Sequence, residues 1–184
     1  MTKNKSVIVV GGGAAGLMSA IHSAWSGAEV IIFEKNPRPA RKVLITGKGR
    51  CNVTNNCSIE TVMNNTPTNP KFLYSALNRF SPEDTMSFFE MLGVELKTER
   101  GNRVFPVSDK AKDIADALIS CAESAGCSIY EKNIKSLIIE NNTIKGVKDS
   151  NGVEYFADSV ILACGGASYP KTGSDGYGYV LARQ

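Results

Sequence analysis

From Ser6 to Val10 the chain is almost continuously apolar, the pattern of a strand buried on both faces. At Ala14 the period becomes helical, with Leu17, Ala20, Ile21 and Ala24 on one stripe and Gly27 as the closing cap. Ala28–Phe33 is a second buried strand, ended by Glu34. Strand, helix and strand within thirty residues predict a parallel pair joined by a right-handed crossover. Residues 35–57 then lose periodicity. Helical patterns return at about 70–80 and 82–92, the second with Ser81 as N-cap, Pro82 in its first position and Asp84 in its first turn. Residues 94–107 read as an extended, hairpin-like piece.

Asp109 is placed to cap a further helix, with Ile114, Ala117, Leu118 and Cys121 on its inner stripe, and Cys127–Tyr130 is the next strand. Three short β patterns follow in place of a helix: Ile134–Ile139, Thr143–Lys148 and Val153–Phe156. Asn141-Asn142 and Asn151-Gly152 are the turns between them, and the second pair carries the stronger type I′ signal. SVILACGG, from Ser159, then reads as a wholly buried strand running into glycine.

Composition narrows the class. At 184 residues and 42% hydrophobic the chain can build one core and a fraction of another, and 21% charged residues argue against disorder. Mean hydropathy of -0.12 and the lack of a long apolar run argue against a membrane span. The basic start and short apolar run resemble a signal peptide, but the run ends in glycines and is better read as a first strand, so the expected location is cytoplasmic. A net charge of +3 is too small to imply a nucleic-acid partner. The unevenly spaced Cys51, Cys57, Cys121, Cys127 and Cys164 make neither a disulfide framework nor a metal knuckle, and a single histidine leaves little for zinc, so no metal is expected.

Glycine is the informative residue. There are 17, above the roughly 7% average. Eleven fall in three clusters: Gly11, Gly12, Gly13 and Gly16; Gly47 and Gly49; and Gly165, Gly166, Gly173, Gly176 and Gly178. In the first, Gly11-x-Gly13-x-x-Gly16 follows a strand and opens a helix, the setting a dinucleotide fingerprint requires. The first glycine allows the tight turn, the second lets backbone approach a pyrophosphate, and the third lets helix and strand pack closely. The helix N-terminus offers free N–H groups and partial positive charge to the phosphates. Glu34, eighteen residues beyond Gly16, can accept bonds from a ribose diol and would repel a 2′-phosphate, which points to NAD or FAD.

A nicotinamide domain would continue β-α-β-α-β with short connections. Here residues 35–108 intervene, and the later crossover is a β meander, a combination found in flavoproteins related to glutathione reductase. Within that frame GGGAAG with Glu34, ITGKGRCNVTN at 45–55 and LACGGASYPKTGSDGYGY at 162–179 resemble the BaiN/RdsA (YhiN-like) family of FAD-dependent oxidoreductases. The middle motif is the specific one, and the resemblance runs from Val7 to the end.

The resemblance implies an α/β, glutathione-reductase-type FAD-binding Rossmann domain. It implies that 1–184 is its N-terminal part, with a loop and helical insertion over 35–108 and a β meander over 132–157. Family members continue into an insertion domain and a C-terminal segment that completes the FAD site, both expected to lie outside this chain. Gly11, Gly13 and Gly16, with Ala14 and Ala15 between them, would hold the pyrophosphate, and Glu34 with Lys35 the adenosine ribose. Lys42 and the loop Gly47, Lys48, Gly49, Arg50, Cys51 and Asn52 would pass along the pyrophosphate, ribityl chain and isoalloxazine. Ile134 would offer backbone groups to adenine, and Ala163, Gly165 and Gly166 would return to the cofactor. Six cations between Glu34 and Glu60 (Lys35, Arg38, Arg41, Lys42, Lys48 and Arg50) with no acid among them suit a diphosphate, or else form a solvated basic face.

A flavin carries the hydride, so the protein need only orient substrate and supply a proton. His22 faces away from the apolar stripe and reads as a surface residue. Cys51, beside Arg50, is a candidate if that cation lowers its pKa, or a small buried residue under the cofactor. Tyr169, before Pro170, is a donor or a lid. Cys57, Cys121, Cys127 and Cys164 read as core or element ends. The resemblance implies reduction of a carbon–carbon double bond, in an alicyclic enone of the bile-acid type or in a uridine of ribosomal RNA, with NAD(P)H as a possible electron donor. A small-molecule substrate and no membrane partner are expected. The alternatives are a non-catalytic dinucleotide-binding fragment and an NAD-binding regulatory domain.

Overall fold

Residues 5–168, 170, 173 and 175–184 are described by a computed structural model. They fall into two compact units: the chain up to Lys42 together with Leu118–Gln184, and Val43–Ala117. β1 (Ser6–Val10), α1 (Ala14–Trp25) and β2 (Glu29–Glu34) open the first unit as the hydrophobic pattern predicts. β1 and β2 pair in parallel, Val7 against Val30 through Val10 against Phe33. α1 buries Gly16, Leu17, Ala20 and Ile21. Leu17 and Ile21 are wholly buried, and burial of that kind stabilises by about 1.5–3 kcal/mol per side chain.

The second unit holds most of α2 (Arg41–Ile45), then β3 (Thr54–Asn55), α3 (Ile59–Asn64), α4 (Tyr74–Arg79), α5 (Pro82–Met91), β4 (Leu96–Glu99) and β5 (Arg103–Pro106). The strands form one antiparallel sheet in the order β3-β5-β4, with Val104 and Phe105 buried in its centre. α5 has the expected N-cap Ser81, which with Asp84 forms a capping box: Ser81 Oγ accepts from Asp84 N and Asp84 accepts from Ser81 N. The 70–80 segment is a 3₁₀ turn, Pro70–Leu73, before α4. Ser58 caps α3, a helix too short to show a period.

α6 (Ala111–Ser124) leads back to the first unit. Asp109 does not cap it. Its φ is +57°, and its carboxylate accepts from Lys97 Nζ at 2.8 Å and from Arg50. Two cations outcompete the helix end for that side chain. β6 (Ser128–Glu131) pairs in parallel with β2. The crossover that follows is the predicted three-stranded meander, β7 (Ile134–Glu140), β8 (Thr143–Asp149) and β9 (Glu154–Phe156). β10 (Ser159–Leu162) then joins β1, giving a parallel sheet in the order β10-β1-β2-β6, and α7 (Tyr177–Ala182) follows.

Two details differ from the sequence expectation. Asn141 and Asn142 both have positive φ, whereas in the second turn only Gly152 does. Asp149 accepts from the N–H groups of Asn151 (2.8 Å) and Val153 (3.0 Å), and its carbonyl accepts from Gly152 N, so that loop closes around the carboxylate instead of as a type I′ pair. β10 is exposed or half-buried along its length, because in the described residues it is the outer strand of the sheet. The core beneath the site gathers Ile8, Val10, Phe33, Ile134, Val147 and Leu181 from β1, β2, the meander and α7.

Candidate dinucleotide-binding site

The turn after β1 is built by three glycines with different tasks. Gly11 has φ +110°, donates to Phe33 O at 2.8 Å, and leaves no room for a Cβ, which would stand 2.5 Å from Ala163 O. A Cβ on Gly16 would stand 1.8 Å from Gly11 O, so α1 rests on the turn at backbone contact. Ala163, whose N–H donates to Val10 O, therefore meets Gly11 and Gly16 at the end of β10. Gly13 is different: its φ of −77° suits any residue, and a Cβ there would meet nothing within 4 Å. Gly13 is the N-cap of α1 without a side chain to cap it, no acid occupies the first turn, and Ala14 and Ala15 are exposed. Small residues around uncapped N–H groups at a helix start are what an anion needs. The surroundings of Gly13 fit a pyrophosphate.

Glu34 is 8% exposed and its carboxylate is oriented by three donors. Oε2 accepts from Gly12 N at 2.7 Å, and Oε1 from Asn36 N at 2.9 Å and Asn36 Nδ2 at 2.5 Å. An ionised carboxylate offers about four acceptor positions, which leaves room for a ribose hydroxyl. Arg41 donates to Asn36 Oδ1 at 3.2 Å and steadies that amide. Lys35 is not an uncompensated cation, since its Nζ pairs with Asp175 at 2.6 Å. Ile134 is buried at the start of the meander opposite Asp149, Gly165 has φ +80°, and Gly166 O accepts from Gly176 N. Lys42 is exposed.

The loop with the specific motif lies in the second unit and is held by left-handed backbone, with φ of +54° at Gly47, +59° at Lys48, +85° at Gly49 and +60° at Cys51. Non-glycine residues in this region cost conformational energy and cluster at functional sites. Asn52, with its amide turned to donate, bonds Thr54 O and Val104 O and ties the loop to the sheet. Arg50 is not free to lie against a diphosphate. Its guanidinium stacks 4.2 Å above Phe105 and pairs with Glu99 at 2.5 Å and with Asp109, while Lys97 bridges both acids. These partners raise Arg50 above its ordinary pKa and hold Glu99 and Asp109 below theirs.

Of the two readings of Cys51, the buried one agrees with its surroundings. Its thiol is buried, and burial pushes its pKa up despite a hydrogen bond to Thr46. Arg50, engaged by two carboxylates, supplies no lowering. Cys127 and Cys164 are likewise pushed up by burial, and the five cysteines are free thiols. His22 is exposed on α1, edge-on to Trp25. Tyr169 lies outside the described residues. Among the described residues no group of acids, cysteines or histidine could hold a metal ion. Asn36 and Asp175 went unnoticed in the sequence. Asn36 follows Glu34 closely enough to suspect, but nothing along the chain links Asp175 to Lys35.

A parallel sheet, a glycine turn at a helix N-terminus and an acid ending the second strand define a Rossmann-type dinucleotide-binding domain. The chain belongs to the HI0933-like protein Rossmann domain family, which it matches over residues 5–184, in agreement with the resemblance carried by its three motifs to a family of FAD-dependent oxidoreductases. It is 35% identical over 177 residues to the 3-dehydro-bile acid delta(4,6)-reductase of Clostridium scindens, covering 95% of this chain and 42% of that protein. It is 29% identical over 177 residues to the ribosomal RNA dihydrouridine synthase of Escherichia coli, covering 96% and 43%. The chain thus spans less than half the length of these curated relatives. Among solved structures, the 3-ketosteroid-delta4-(5alpha)-dehydrogenase of Rhodococcus jostii RHA1 superposes with a TM-score of 0.67 at 16% identity, over 92% of this chain and 48% of that one. At that identity the likeness shows the fold.

Proposed function

We propose that this chain is the FAD-binding part of an oxidoreductase that transfers hydride to or from a carbon–carbon double bond. The observation that carries the reading is Gly13: neither backbone nor packing demands a glycine there, and it stands open at an uncapped helix N-terminus beside the anchored Glu34. A pyrophosphate supplies the demand. The N–H groups of the first turn of α1 hold the phosphates, and Glu34 accepts a ribose hydroxyl. Ile134 offers backbone to adenine, and Ala163, Gly165 and Gly166 lie along the cofactor. Lys42 and the loop from Gly47 to Asn52 serve the flavin half, with Arg50 shaping the loop through Phe105, Glu99 and Asp109. When bound, the flavin supplies the hydride chemistry. A protonated Cys51 fits a packing role beneath it better than a proton-transfer role.

The name of the Clostridium scindens relative favours an alicyclic enone as substrate, and that of the Escherichia coli relative a uridine of ribosomal RNA. NAD(P)H is the proposed electron donor and the cytoplasm the proposed location. No helix among the described residues is long and apolar enough to cross a membrane. The visible spectrum of the purified chain, before and after incubation with FAD and desalting, tests the cofactor. A retained flavin band is expected, and a colourless protein that takes up no FAD overturns the proposal.

A further inference from the structure

We infer that Asp175 determines specificity in the adenosine site, by holding Lys35 in an ion pair so that an adenosine bearing a 2′-phosphate is rejected; this rests on the dinucleotide reading above. Lys35 directly follows the ribose acid, and Arg38 and Arg41 come soon after. Rossmann proteins that accept a 2′-phosphate place a cation near this ribose, so composition alone would suit the loop to that ligand. The fold instead compensates Lys35, the nearest of these cations to the ribose acid in sequence. Lys35 Nζ donates to Asp175 Oδ2 at 2.6 Å, and Arg41 donates to Asn36, which itself donates to Glu34.

Asp175 is fixed from two sides. Its Oδ1 accepts the N–H of Tyr177 at 3.1 Å, at the start of α7, and α7 is anchored by Leu181 in the core with Ile8, Val10 and Phe33. Lys35, foremost among the causes, keeps the Asp175 carboxyl below its usual range and therefore charged. Lys35 is the residue directly after Glu34, so the ion pair brings Asp175 to the end of β2 that carries the ribose acid. A 2′-phosphate arriving there meets the carboxylates of Glu34 and Asp175, with the Lys35 ammonium held by the second and the Arg41 guanidinium bonded to Asn36. With side chains 36% and 42% exposed, the pair adds little to stability. Discrimination does not depend on its strength, because removing the Asp175 charge changes the local charge by one whatever the pair is worth.

Calorimetric titration of the chain with ADP-ribose and with its 2′-phosphate tests the idea, since the two probes differ in that group alone. The wild type is expected to prefer ADP-ribose. Asp175→Asn keeps an oxygen for Tyr177 N–H and should raise affinity for the 2′-phosphate about tenfold while moving ADP-ribose less than about twofold. Adding Lys35→Gln should remove that gain. An unchanged ratio in Asp175→Asn, including equal weakening of both probes through a disturbed α7, overturns the inference, as does a gain that survives the loss of Lys35. A wild-type chain that binds neither ADP-ribose nor FAD overturns the dinucleotide reading, and the inference with it.

Discussion

Gly13 and Gly16 stand one helical turn apart and are glycine for opposite reasons. Gly16 is dictated by the protein itself, because any side chain there collides with the backbone of Gly11. Gly16→Val should cost more than about 4 kcal/mol, enough to prevent folding. Gly13 has extended backbone and open space, the setting of an ordinary N-cap. Gly13→Ser should therefore leave stability equal or higher by a few tenths of a kcal/mol, since serine caps helices at least as well as glycine. The same hydroxyl would claim the N–H groups that the pyrophosphate needs, so FAD affinity should fall about tenfold or more. Thermal denaturation and quenching of flavin fluorescence read the two effects separately. If Gly13→Ser binds FAD as the wild type does, phosphate does not sit at this turn. The residue pattern alone gave Gly16 its packing role, which the contact with Gly11 bears out. It failed at Arg50 and Lys35, whose acids lie 49, 59 and 140 positions away, a distance no local spacing can span.

At the scale of elements, legibility followed local chemistry. The N-cap of α5 and the three short strands of the meander act within a few residues and were readable; α3 has too few turns to show a period. The turn after β8 was misread because Asp149, just before it, takes over its geometry. That carboxylate is buried, accepts from Asn151 N and Val153 N, and receives Tyr155 Oη at 3.3 Å and Lys132 Nζ at 3.5 Å. Lys132 N donates to Glu34 O and Tyr155 packs on Phe33, so Asp149 joins the meander to the end of β2 beside the ribose acid. Burial pushes its pKa up, but the two backbone N–H groups and Lys132 outweigh that and leave it below the usual carboxylate range. A carboxyl lowered by folding stabilises fully above its unfolded value of about 4 and loses that contribution as pH falls through the lower folded value. Asp149→Asn should thus lower the urea midpoint at pH 7 and flatten its decline toward pH 3. A mutant whose midpoint falls with acid as steeply as the wild type would show that other carboxylates govern the acid limb.

For the whole molecule, the question is which dinucleotide the chain selects. Its fingerprint and Glu34 are common to NAD and FAD domains, and the meander and the motif around Cys51 favour FAD. Linkage converts this preference into a stability measurement, because a ligand at a hundred times its Kd adds about 2.7 kcal/mol to whatever binds it. For a chain of this length that corresponds to a rise in Tm of roughly 5–10 °C. At equal concentration FAD should raise Tm more than ADP-ribose, which offers adenosine, pyrophosphate and a ribose but no flavin ring, and more than NADH. The fingerprint, Glu34 and the end of β10 belong to one compact unit, and Val43–Ala117 forms another with its own buried core. If unfolding resolves into two calorimetric steps, ADP-ribose should therefore move only the step of the unit that carries Gly13. Were NADH to give the larger shift, the domain would be a nicotinamide-nucleotide binder, and the left-handed loop around Cys51 would need an explanation other than flavin.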